Sequence, residues 1–214
     1  MGKRIITPYE EIRGSLQTGD VIICEQKNFV MKWIGHNAGV YVNGAGQVMV
    51  LESTSVSNLT GTKGVQLNPM GLWLAAYPGH VGIRRRRFVN PYIEADRELA
   101  KYPIQFHTEV FIKKFRGTSY PNLKTRAGRW YLIRAAWDSI FLKKASTNVE
   151  TDAWIFCTDL IGRWYRWMGM IPAGANCAEL EPDNMYEGEY FDVMLNHPED
   201  SEMQSKLEPI IWIK

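Results

Sequence analysis

Three residue types in this chain carry the makings of thiol chemistry: a cysteine at the start of an amphipathic helical run, a histidine at the mouth of a strand, and a glutamate on the strand that follows. Cys157 comes after the strand-like Ala153-Trp154-Ile155-Phe156. It opens a segment in which Leu160, Ile161, Trp164 and Met168 recur at helical spacing, with Gly169 as a fitting stop. Unpaired N–H groups in a helix's first turn favour a thiolate, which is the nucleophilic form. A cysteine in an apolar run is more often a structural core residue. Cys24, at the end of Val21-Ile22-Ile23, fits that description, and Cys177 lies in a loop.

A thiol nucleophile needs a base, and the chain has four histidines. His36 precedes the strand-like Asn37–Val42, and a second run, Gln47–Glu52, follows the Asn43-Gly44-Ala45-Gly46 turn signal of a hairpin. A turn of about three residues that pairs Val42 with Gly46 would set His36 opposite Glu52. The carboxylate could then orient the imidazole. The competing account is a surface His beside a surface Glu. His80, at the start of His80-Val81-Gly82-Ile83, matches His36 in local pattern but is followed by Arg84 to Arg87 and no acid. His107 and His197 stand in polar surroundings. The arginine run reads as a solvated sheet edge, with anion recognition as the sharper alternative.

The elements that must position these residues read as strands early and helices late, an α+β chain in one domain over residues 1–214. Strand-like runs cover Val21–Cys24, Asn37–Val42, Gln47–Glu52, Gly64–Leu67 and His80–Ile83. Helical patterns follow at 91–99, at 125–142 (Trp130, Ile133, Trp137, Ile140 and Phe141 on one face) and at 157–168. Gly117 to Leu123 is a loop, and from Pro172 the chain is Pro- and acid-rich until the apolar Ile210–Ile213.

The 214 residues are 45% hydrophobic, enough for a core without a metal or disulfide staple. Three distant cysteines and no C-x-x-C pair argue against a disulfide framework or a zinc site, and no cofactor is expected. A net charge of +2, from 25 basic and 23 acidic residues, gives no reason to expect a nucleic-acid partner. The N-terminus has no signal-peptide pattern, and no run approaches the roughly 18 apolar residues of a membrane span, so stable membrane insertion is not expected. A soluble protein of a reducing, cytoplasmic compartment, or one packaged in a virion, is the expectation.

In this order, the motifs resemble the circularly permuted, NlpC-type papain-like family that includes the YiiX-like proteins and viral relatives. The matching segments are Leu16–Ile22, Gly35–Tyr41 with its His36, Val50–Ser53 with Glu52, the Gly-x-x-Tyr loop Gly117–Tyr120, and Phe156–Leu160 with Cys157. A closing Pro182-Asp183 completes the set, so the likeness spans about residues 13–190. The resemblance implies a small antiparallel sheet, curved toward a barrel and packed on helices. It also implies that His36, not His80, faces Cys157, with Glu52 beside it, in a cysteine amidase or peptidase. Substrates would be a cell-wall peptide, another amide or an acyl lipid. The same fold serves lipid acyltransferases and phospholipases, and a non-catalytic virion or assembly protein could retain it. Where the family has Cys-Ser-Glu-Leu, this chain has Cys157-Thr158-Asp159-Leu160, and an Asp159 close to the thiolate would oppose it. Residues 125–150 read as a substrate-shaping helical insertion.

Overall fold

The computed structural model describes residues 4–25, 35–88, 97–121, 124–137, 150–168, 176–179, 185 and 205–214. Its centre is a curved, unclosed sheet of six antiparallel strands in the order β4-β3-β2-β1-β5-β8. These are β1 (Val21–Glu25), β2 (His36–Val42), β3 (Val48–Thr54), β4 (Gly64–Pro69), β5 (His80–Arg84) and β8 (Ile211–Trp212). A separate ribbon pairs β6 (Arg86–Phe88) with β7 (Ser205–Leu207). The helices are α1 (Tyr9–Ile12), α2 (Met70–Ala76), α3 (Arg97–Phe115), α4 (Arg126–Trp137) and α5 (Cys157–Trp167). No helix among the described residues is long and apolar enough to cross a membrane.

Both faces of the sheet are covered, which explains why its strands read as nearly continuous apolar runs rather than as alternations. Side chains one residue apart point to opposite faces. Val21, Ile23, Tyr41, Leu51 and Val65 therefore join a core with α3 and α5, through Phe111, Leu160, Ile161 and Trp164. Ile22, Cys24, Ala38, Val40 and Val50 join a second core with α1 and α2, through Ile12, Met70, Trp73 and Leu74. α5 lies close to β2 because residue 39 is a glycine: a Cβ there would stand 2.3 Å from Trp164 Cζ3. Trp164 is itself pinned, its Nε1 donating to Thr108 Oγ1 of α3 at 3.1 Å.

Several sequence expectations change. The arginine run is not a solvated edge. β5 is an inner strand, paired with β1 and β8. Arg84 is buried, and its guanidinium donates to the carbonyls of Glu208 (2.7 Å), Met185 (3.2 Å) and Leu207 (3.2 Å), which ties the C-terminal segment to the sheet. Arg86 is buried too, and its backbone N–H donates to Asp20 Oδ1 at 3.3 Å. Burial pushes the Asp20 carboxyl up to about 6, against hydrogen bonds from Gln17 and Arg86.

Pro69 to Pro78, expected only as a connection, contains α2. The helix expected at 91–99 continues to Phe115 from Arg97, residues 91–96 lying outside the described residues. The apolar tail supplies β8. Residues 138–142 of the expected second helix, and Pro182-Asp183, also fall outside the described residues, as does His197.

Candidate active site

The site forms where two strands part. β2 and β3 are bonded only from Gly39–Val42 against Val48–Leu51. Beyond that point His36–Ala38 stay with β1, and Glu52–Thr54 stay with β4. The start of α5 is held in this split: Ser53 Oγ donates to the Ile155 carbonyl at 2.5 Å, and the Asn37 backbone N–H bonds the Cys157 thiol. A backbone donor that would otherwise have continued the ladder thus serves the sulfur.

His36 bridges the two sides. Its Nε2 lies 3.1 Å from Glu52 Oε2, and its ring hydrogen-bonds Cys157, which leaves Nδ1 for the sulfur. Glu52 is 2% exposed, and its other oxygen accepts from Asn68 Nδ2 at 3.0 Å. The sequence reading paired His36 with Glu52 by a register two residues out. The turn is Gly44-Ala45-Gly46, closed by Asn43 N–H to the Gln47 carbonyl at 3.0 Å, so Val42 opposes Val48, not Gly46. Continued outward, that register sets Ala38, not His36, against Glu52. A slip of two keeps every side chain on its face. His36 and Glu52 therefore still share a face, and meet as diagonal neighbours across the widening gap.

Electrostatics follow from this packing. Burial disfavours a charged imidazole, but the hydrogen bonds and charges of Cys157 and Glu52 outweigh it and push His36 up to about 10. Burial raises the Cys157 thiol, while His36, the Asn37 N–H and the Thr158 hydroxyl together bring it below the ordinary thiol range. Each partner thus favours the charged form of the other. The other two free cysteines go the opposite way: burial, reinforced by the Glu52 carboxylate, holds Cys24 far up, and burial also raises Cys177.

Asp159 does not face the thiol unscreened. Arg163 grips it through Nε to Oδ1 (2.7 Å) and Nη2 to Oδ2 (3.0 Å), and reaches Asp152 at 3.0 Å. Burial still pushes Asp159 up to about 6. No side chain caps α5, whose first turn begins at Cys157 itself.

Phe156, Cys157 and Ala178 form a small apolar cluster against Tyr120 and Trp154. Tyr120 belongs to the Gly-x-x-Tyr loop, which is fixed by Gly117 N–H to the Val65 carbonyl and Ile155 N–H to the Ser119 carbonyl, both 2.9 Å. Burial and the nearby Cys157 raise the Tyr120 hydroxyl.

The other described histidines, His80 and His107, are elsewhere. His80 Nδ1 lies 3.3 Å from the Lys214 carbonyl, and exposed His107 packs edge-on against Phe106. Asn68 is the member that sequence reasoning missed. Its one signal was a poor strand former two residues from Gln66 on an otherwise apolar-flanked run. Among the described residues, no group of three or more His, Cys, Asp or Glu side chains is arranged to hold a metal ion. No family model matches the chain, and no curated protein does.

Proposed function

We propose that this protein is a cysteine hydrolase of the permuted papain-like kind, acting on an amide or ester bond. The observation that carries the proposal is the bridge made by His36, one ring nitrogen on the Cys157 thiol and the other 3.1 Å from the buried Glu52 carboxylate. A base held between a nucleophile and an orienting acid is the arrangement that covalent acyl chemistry requires. The chain order of His36, Glu52 and Cys157 agrees with the permuted family resemblance.

In this reading the Cys157 thiolate attacks the substrate carbonyl carbon, and the oxyanion is held by the Cys157 backbone N–H in the uncapped first turn of α5. His36 gives its proton to the departing amine or alkoxide, leaving a thioester on Cys157. It then takes a proton from the attacking water, and collapse of the second tetrahedral intermediate frees the acid and restores the thiol. Glu52, fixed by Asn68, keeps the imidazole turned and supports its charge. The apolar cluster of Tyr120, Trp154 and Ala178 beside Cys157 favours an apolar group next to the scissile bond, which admits an acyl lipid as well as a peptide.

The test is labelling of the folded protein with iodoacetamide at neutral pH, mapped by mass spectrometry, followed by turnover of a panel of cell-wall peptides, isopeptides and acyl lipids. Modification should fall on Cys157 ahead of Cys24 and Cys177, and should abolish whatever turnover the panel reveals. Labelling of Cys157 no faster than of the other two would overturn the nucleophile assignment. A substrate turned over equally well by Cys157→Ala would do the same.

A further inference from the structure

We infer that the cavity between α3 and the sheet binds a short zwitterionic peptide with apolar side chains, its ammonium end at Glu109 and its carboxylate end at Lys113 and Arg116. The cavity, of about 460 Å³, is lined by Tyr41 of β2, Leu67 of β4, Glu109, Ile112 and Lys113 of α3, and Arg116 just beyond it. Its size falls within the roughly 300–1,000 Å³ of small-molecule sites. It is a separate place from Cys157. Tyr41 stands five residues along β2 from His36, about 16 Å at the rise of an extended strand.

The charges around this cavity are held apart. Glu109 and Lys113 are four residues apart on one helix with the acid first, the spacing and order that favour an ion pair. They do not pair. The Tyr41 hydroxyl, on a side chain 5% exposed, donates to Glu109 Oε1 at 3.0 Å, and Gln105 Nε2 donates to the same oxygen at 3.3 Å. Burial and Glu109 push the Tyr41 hydroxyl up to about 12, so it stays a donor at neutral pH. Neutral donors thus draw Glu109 toward the sheet. Its carboxylate meets no cation there, and the Lys113 and Arg116 side chains have no hydrogen-bonded or ion-paired partner among the described residues. The dipole at the end of α3 favours cations. That accounts equally for Lys114, which turns away and lies over Phe115 and Trp167. It does not account for an acid and two cations around one apolar hollow.

This set of charges selects the ligand. A simple anion would be set against Glu109, and a simple cation against Lys113 and Arg116. A molecule with opposite charges at its two ends satisfies all three. Glu109 and Arg116 are seven residues apart, about 10 Å along the helix axis. A free amino acid carries both charges on one carbon and spans too little of that length. A di- or tripeptide reaches across it, with its apolar side chains on Leu67, Ile112 and the Tyr41 ring. The Arg116 guanidinium can offer the terminal carboxylate two parallel hydrogen bonds. The inference stands whether or not Cys157 is a nucleophile.

The test is isothermal titration of the full chain with leucyl-leucine, N-acetyl-leucyl-leucine and leucyl-leucine amide, repeated on Cys157→Ala so that turnover adds no heat. Leucyl-leucine should bind one to one with a Kd below about 1 mM. The acetylated probe lacks the ammonium and the amide lacks the carboxylate, and each should bind about tenfold more weakly, the loss of one charge-assisted hydrogen bond. Glu109→Gln should erase the preference over the acetylated probe and keep the preference over the amide. Lys113→Gln with Arg116→Gln should do the reverse. All three side chains are exposed, and circular dichroism would confirm that the variants fold.

The three probes read the inference on the parent chain without any variant. Absence of binding at millimolar leucyl-leucine would overturn it, as would equal affinity for all three probes. Variants that keep the parent's preferences would place the peptide elsewhere. Tighter binding of inorganic phosphate than of leucyl-leucine would give the cavity to a simple anion instead.

Discussion

Two histidines open the two strands that flank β1. His36 begins β2 opposite Cys24, and His80 begins β5 opposite Glu25. Locally they are twins: a glycine before, an apolar strand after, a place at the end of the sheet. Their surroundings differ completely. β2 parts from its other neighbour just where His36 stands, admitting the head of α5 and leaving Glu52 within reach. β5 keeps its neighbour β8, and among the described residues the His80 ring meets the Lys214 carbonyl, at 3.3 Å. The break in the ladder beside His36 is what gives it a thiol and a carboxylate as neighbours.

The largest expected effect separates these twins. His36→Ala should lower turnover by about a hundred- to ten-thousand-fold, the usual contribution of a positioned general base, while His80→Ala should leave most of it. Thiol reactivity should divide likewise. His36→Ala removes the foremost influence lowering the Cys157 thiol, so the midpoint of its alkylation–pH profile should move up. His80→Ala should not move it. Steady-state kinetics and iodoacetamide rates across pH check both statements, and the reverse outcome would transfer the site to β5.

The break itself can be tested at Gly39, over which α5 is laid. Gly39→Ala would put a methyl group 2.3 Å from Trp164 Cζ3, and Trp164 is tethered to Thr108 and cannot swing aside cheaply. Overpacking of this kind costs about 1–3 kcal/mol. We expect a fall in thermal midpoint together with slower Cys157 alkylation at neutral pH, because Cys157 begins the displaced helix. A stability loss with unchanged alkylation would mean that the head of α5 is held by Ser53 and Ile155 independently of its body.

What could be read from the sequence follows the range of the forces involved. β1 to β5 were legible because apolar β-branched runs between Gly, Pro and Asn turns specify strands locally. Cys157 was legible because helix start and thiol coincide. The pairing of His36 with Glu52 survived a misjudged turn because an even slip preserves the face. The parting of β2 and β3 was not legible: nothing in His36–Ala38 or Glu52–Thr54 says that these residues abandon each other. Nor was the burial of Arg84 and Arg86, whose partners lie more than a hundred residues away at Met185, Leu207 and Glu208 in one case and 66 residues away at Asp20 in the other. α2 was hidden between two prolines, seven residues long and too short to show a period.

A smaller effect is expected at Glu52. His36 reaches about 10 partly through Glu52, so removing that charge lowers the imidazolium's pKa. A group whose pKa is raised on folding contributes stability at low pH and loses it as pH rises through the raised value. In Glu52→Gln that loss should therefore be smaller and complete at lower pH, and the alkaline limb of the pH–rate profile should move down with it. Activity should be reduced but measurable, since an amide oxygen still accepts the ring N–H. Glu52→Ala should be worse than Glu52→Gln, because it also strips Asn68 of its acceptor in a buried place, where an unmade hydrogen bond costs about 1–3 kcal/mol. Superimposable profiles from pH 5 to pH 9 for wild type and both variants would remove Glu52 from the site.

The smallest effect belongs to Asn68, which touches neither the thiol nor the imidazole. Its amide donates to one Glu52 oxygen so that the other is presented to His36. Asn is a poor strand residue, and this one is 3% exposed, so its presence in β4 is explained by that bond. Asn68→Leu keeps the volume and removes the donor. Glu52 then has one buried oxygen without a partner and is no longer held in place toward His36. The support it lends the imidazolium weakens, and the alkaline limb should move down in the same direction as in Glu52→Gln but by less. Asn68→Asp should do worse than Asn68→Leu by setting a second carboxylate against Glu52. A merely structural Asn68 would lower the thermal midpoint in Asn68→Leu and leave the pH dependence of Cys157 alkylation where it was. A moved pH profile with a nearly unchanged midpoint marks it instead as the residue that aims Glu52.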